Sequence, residues 1–250
     1  MNASLSIVAV LSLSIFAGCA STEEDSAGGG SAVSAPEGWR VTLSTRSIHK
    51  DQSLCTTQGT ELFVVTGTST AATSSINSAL SANSKAILSA DCKTQEAHLK
   101  STQKATINTG GYLSIEEQGK VWVGGNENEG ETFVHGYNFN IQTGKKVFLK
   151  DVLTKTGLKD AIDACDESLR ILRGPVEEAP DTGFREACSD ALLGEATAPS
   201  NFVIKKEGLL LRPALNDAYA ALADIGAIIE WSVIEKKLTS TGMAVREAAR

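Results

Sequence analysis

The chain has 250 residues, 42% of them apolar, and a formal charge of −7. That apolar share suffices for the core of one domain, or of a domain with two lobes. The acidic balance argues against nucleic acid and against broad contact with anionic lipid headgroups; it suits a basic protein partner, and in the plainest reading it keeps the protein soluble.

Residues 1–18 carry no charge, and residues 5–17 are an unbroken run of apolar and small side chains. As a helix this run reaches about 20 Å, short of a hydrocarbon core of roughly 30 Å, so it fits a signal peptide better than a membrane span. Phe16-Ala17-Gly18-Cys19 follows at once. It resembles the bacterial lipobox, although Leu is usual where Phe16 stands, and the resemblance implies cleavage before Cys19 and lipid on its thiol. An ordinary signal peptide with an incidental cysteine is the plainer alternative. Residues 20–37 are mostly Ser, Ala, Gly, Glu and Asp. They bury too little apolar surface to offset their ordering entropy, so they are expected to form a flexible tether. Ser21 resembles the enteric signal for outer-membrane sorting, which implies a protein facing the periplasm or the cell surface.

Past Cys19 four cysteines remain, Cys55, Cys92, Cys165 and Cys188. An even number in an exported chain points to disulfides, and no C-x-x-C or Cys/His cluster suggests metal. Three pairings are possible. Proximity along the chain favours Cys55–Cys92 with Cys165–Cys188.

Residues 39–47 alternate like a half-buried strand, and 61–67 read as a second. A helix capped by Ser69 or Thr70 is expected to about residue 90, with Ile76, Leu80, Asn83 and Ile87 on one stripe. Residues 104–108 and 112–117 are expected to be strands joined at Gly110-Gly111. A turn at Gln118-Gly119 is then expected to lead into 120–124. The clearest strand places Phe133, His135, Tyr137, Phe139 and Ile141 on one face, closed by a turn with Gly144.

Two helices are expected next. Leu158, Ile162, Cys165, Leu169 and Leu172 share one face of the first, which ends at Gly174-Pro175. Phe184, Ala187, Cys188, Ala191 and Leu192 share one face of the second. Residues 202–206 and 208–212 form a strand pair, 225–233 a buried strand, and 239–250 a polar tail of helical propensity. Strands and helices do not alternate regularly, so the expected class is α+β, with antiparallel sheets, helices packed on one side and two small lobes. The corresponding division is 1–18 signal peptide, 19–37 lipidated Cys19 and linker, 38–110 and 111–238 lobes, 239–250 tail.

Three stretches carry a resemblance. Residues 137–153, with Thr143-Gly144-Lys145 and then Leu149-Lys150-Asp151-Val152-Leu153, look like a strand, a Thr-Gly-Lys turn and a Leu-x-Asp-Leu-Phe segment. Phe202-Val203-Ile204 with Gly208-Leu209 resembles a "Phe-x-Leu, Gly-Leu" strand pair, and 228–238 resembles a closing strand. Over about residues 62–238 the pattern is similar to a domain family of bacterial envelope proteins. Its members include the extracellular half of a lysozyme-sensing anti-sigma factor and a non-catalytic region of a peptidoglycan deacetylase. The resemblance implies a non-enzymatic envelope domain whose partner is a lysozyme-like muramidase or peptidoglycan. The family often carries Gly-Gly-Ala-His before the central strand; here Gly124-Gly125 runs on into Asn126-Glu127.

No G-x-S-x-G, H-E-x-x-H, P-loop or Rossmann fingerprint occurs, and no cofactor or metal is implied. The loop residues Asn126, Glu127, Asn128, Glu129 and Glu131, with His135, are the candidate binding set. A solvated hairpin loop beside a hydrogen-bonded strand histidine is their plainer reading. Three functions compete. They are a lipid-anchored envelope binding protein without catalysis, a hydrolase acting on envelope glycan, and a structural lipoprotein of an envelope complex.

Overall fold

The computed structural model describes residues 39–47, 55–56, 60–91, 96–124, 126–127, 130–174, 183–193, 202–213 and 226–250. Cys19, the expected tether, Cys92, Asn128 and Glu129 lie outside the described residues, as does the Cys55 side chain. The fold is mixed α and β.

The first strands are β1 (Thr42–Ser47), β2 (Cys55–Thr56) and β3 (Glu61–Thr66). Helix α1 (Thr70–Asp91) follows, then β4 (Ala97–Thr109), β5 (Tyr112–Val123) and β6 (Glu131–Asn140). They form a sheet in the order β1-β3-β4-β5-β6, with β2 beside β4. The β4–β5 turn uses Gly110 and Gly111, both at positive φ (59° and 84°), as a tight two-residue hairpin requires.

The turn expected at Gln118-Gly119 does not form. β5 runs unbroken through both residues, and Gly119 pairs with Ser101 on one side and Phe133 on the other. A Cβ on Gly119 would meet Phe133 Cζ at 2.3 Å and Ser101 Cβ at 2.8 Å. The glycine makes room for a ring across the strand rather than bending the chain.

Odd-numbered residues of β5 from Leu113 face one way. Leu113 and Ile115 pack with Tyr137 and Phe139 of β6, Val65 of β3, and Ile76 and Leu80 of α1. Ser114 and Glu116 face the other way, where the remaining elements gather.

These begin with α2 (Leu149–Val152), α3 (Lys155–Arg173) and α4 (Phe184–Leu193). Thr154 caps α3 by accepting from the Gly157 amide at 3.1 Å. The buried stripe of α3 is Gly157, Ala161, Cys165 and Leu169, and Leu172, expected inward, is 44% exposed. Cys165 and Cys188 are disulfide-bonded across α3 and α4, Cα atoms 6.1 Å apart. A second, three-stranded sheet, β7 (Phe202–Ile204), β8 (Gly208–Leu211) and β9 (Ala227–Glu230), is antiparallel throughout. Its Ile204, Leu211 and Ile229 share a second core with Leu169, Phe184 and Trp231.

The strand expected to reach residue 233 ends at Glu230. Trp231 is held by its amide to Glu207 O at 3.2 Å and by Nε1 to Lys205 O at 3.3 Å, and α5 (Trp231–Ile234) starts there. After a 3-10 turn, Glu235–Lys237, the tail is helical as expected, α6 (Ser240–Ala249), but it is not polar throughout and buries Val245, Ala248 and Ala249. Ala248 sits against Gly110, so the last helix closes on the β4–β5 turn. The lobe boundary expected at 110/111 therefore falls on a hairpin inside the larger sheet, whose two faces belong to different cores.

Candidate functional site

Where β7 meets the larger sheet, the contact is made edge-on by polar groups. β7 is the outer strand of its sheet, so the amides and carbonyls along its free side need partners. Side chains of β4, β5 and β6 supply them. Thr106 donates to Ile204 O at 2.7 Å, Ser114 Oγ accepts the Ile204 amide at 3.0 Å, and Asn138 Nδ2 donates to Phe202 O at 2.9 Å. Ser114 in turn donates to Asn138 Oδ1 at 2.7 Å. Gly136 lies under this contact, and a Cβ there would stand 1.8 Å from the Phe202 carbonyl oxygen.

The next residue on that face of β5 is Glu116, 4% exposed. Arg212 Nη2 reaches it at 2.7 Å and Lys205 Nζ at 3.1 Å. Burial pushes the Glu116 carboxyl up, but hydrogen bonds from Lys205, Gln118 and Arg212 and the Lys205 charge outweigh it and hold it below the usual range. Two cations thus surround one carboxylate, and the Arg212 Nε and Nη1 groups are buried with no acceptor among the described residues.

The opposite face carries a second polar group. Tyr137 donates to Glu117 Oε2 at 2.5 Å inside the α1 core, and burial, then the Glu117 charge, push the phenol up. His135 lies directly across from Glu117 in register and stacks on Phe133 with centroids 4.9 Å apart. Burial pushes its imidazole down to about 4, so it is neutral at pH 7.

Of the candidate binding set, Asn126 and Glu127 are exposed and Glu127 lies 3.9 Å from Lys100. Glu131 is exposed at the start of β6, paired with Val121. His135 is four residues further along, roughly 14 Å, beneath the α1 side of the sheet, and does not join the loop residues. Among the described residues no group of three His, Cys, Asp or Glu side chains could hold a metal ion, and no helix is long and apolar enough to cross a membrane.

Sequence reading missed Thr106, Ser114, Glu116, Asn138, Lys205 and Arg212. Their trace is the second phase of the alternation: Ser114 stands between Leu113 and Ile115, and Gly136 and Asn138 flank Tyr137, small or amide residues where a solvated face would carry long charged ones. The arrangement seals an interface and holds charges in fixed pairs.

No protein-family model matches the chain, and no curated protein sequence is similar to it. Solved structures similar to it include a member of the DUF3298 family from Bacteroides fragilis NCTC 9343, at 12% identity over 84% of this chain and 96% of that one, with a TM-score of 0.47. A DUF3298 family protein from Pseudomonas aeruginosa PAO1 is 12% identical, covering 83% of this chain and 96% of that one, with a TM-score of 0.40.

Proposed function

We propose that the chain is a lipid-anchored binding protein of the bacterial cell envelope, held by Cys19 and a tether over residues 20–37, whose acidic surface meets a basic protein partner. A lysozyme-like muramidase is the partner implied by the resemblance over residues 62–238. One observation carries the binding reading over the catalytic one. Among the described residues the buried carboxylates stand in fixed pairs, Glu116 with Arg212 and Lys205 and Glu117 with Tyr137. A general acid or base needs a proton free to move at neutral pH. Here Glu116 is pulled down, Tyr137 is pushed up, and His135 titrates near 4. The bonded Cys165–Cys188 pair suits an oxidising compartment.

With a net charge of −7, association with a basic enzyme gains on-rate by steering and loses it to salt. Pull-down of a c-type lysozyme by the detergent-extracted protein tests this. Retention at low salt that weakens at high salt is expected, and no retention at low salt contradicts the muramidase reading.

A further inference from the structure

Strand β7 of the second sheet packs against the face of the larger sheet that carries Ser114 and Glu116. Past Glu116 that face opens to solvent, with Lys100, Thr102 and Lys104 of β4 exposed and Gln118 exposed on β5. Lys120 and Trp122 continue it half-buried, and the Trp122 indole lies flat on His98, centroids 5.0 Å apart and 10° between planes. We propose that this uncovered face binds a linear acidic polysaccharide, with its carboxylates on the Lys100–Lys120 pair and on Lys104 and a sugar ring packed against Trp122.

Charge placement is the first argument. Lys100 and Lys120 stand directly opposite each other in register. Like charges so placed destabilise a sheet, and here they do so in a chain with 30 acidic residues against 23 basic ones. Glu127 already lies 3.9 Å from Lys100, both side chains more than half exposed. At that distance and exposure the pair contributes little, and a ligand carboxylate can take its place.

Spacing is the second argument. Lys104 follows Lys100 by four strand residues, about 14 Å. Between them Thr102 and Gln118 face each other in register, neutral side chains that suit hydroxyl groups. Lys104 is itself opposite Glu116, but that carboxylate is taken by Arg212 and Lys205. Sparse cations separated by hydrogen-bonding groups match a polymer with one charge per sugar or two. They do not match a duplex with a charge every ~1.7 Å, which the net negative chain would repel. The proposal does not rest on the muramidase reading, and its test uses no lysozyme.

The full-length protein in detergent is run through native gels containing polygalacturonate, dextran or a single-stranded oligonucleotide. Polygalacturonate alone is expected to retard it. Lys100→Gln/Lys120→Gln is expected to weaken binding roughly tenfold, about one good contact, while its Tm stays at or above that of wild type. Trp122→Ala is expected to weaken it too, and Lys159→Gln, on the exposed side of α3, to leave it unchanged. Equal retardation by dextran, stronger retardation by the oligonucleotide, no retardation at all, or an equal loss in Lys159→Gln would each overturn the proposal.

Discussion

Glu116 sits buried between Arg212 and Lys205, where removing one partner strands the others. Glu116→Ala is expected to cost about 3 kcal/mol, because two cations are left without their carboxylate; urea unfolding at neutral pH measures it. Gly136→Ala is expected to be at least as damaging, about 3 kcal/mol or more, since the Phe202 carbonyl occupies the space a Cβ needs. The pH dependence divides between two residues. His135 titrates about 4 in the fold and 6.5 when free, so the unfolded chain takes the proton first and stability falls as pH drops from 6.5 towards 4. Glu116 is held below its ordinary 4.5, so its contribution is full above that value and is lost as pH falls through the lower folded one. His135→Phe is expected to flatten the upper part of an acid-unfolding profile, and Glu116→Gln the lower part. Neither residue's environment could be read locally. Each depends on a strand or loop distant in sequence, as Glu116 depends on Arg212, 96 residues away.

At the scale of elements, strands with a clean two-residue period were legible. β6 carries Tyr137 and Phe139 into one core as its alternation requires. β5 was misread at Gly119, because glycine signals both turns and close approach, and the ring that demands it, Phe133, arrives from the next strand. The helical propensity of α6 was legible but its burial was not, because its buried side is built of small residues, Ala248 and Ala249 beside Val245, which leave a weak periodic signal. α3 and α4 were legible by their stripes, and the Cys165–Cys188 bond joins them. That bond closes a separation of 23 residues, and Cys165→Ser/Cys188→Ser is expected to lose about 3 kcal/mol as the unfolded chain regains its freedom. Thermal unfolding of the double variant checks this, and wild-type stability in it would mean the bond contributes nothing.

At the largest scale, one long sheet serves two cores, α1 lying on one face and the smaller sheet abutting the other. The α+β class was legible from the irregular order of elements. The division into lobes was not, because a hairpin between neighbouring strands looks in sequence like any glycine-rich boundary. At the seam between the sheets the open edge of β7 is satisfied by Thr106, Ser114 and Asn138, while Ile107 and Tyr112 of the larger sheet share a core with Phe202 and Ile204. The functional reading depends on where this fold resides. Mass spectrometry of the protein purified from membranes, without reduction, addresses that most directly. The expected result is a chain beginning at an acylated Cys19, with the Cys165 and Cys188 peptides joined. An unprocessed chain from the cytosol with free thiols would contradict it.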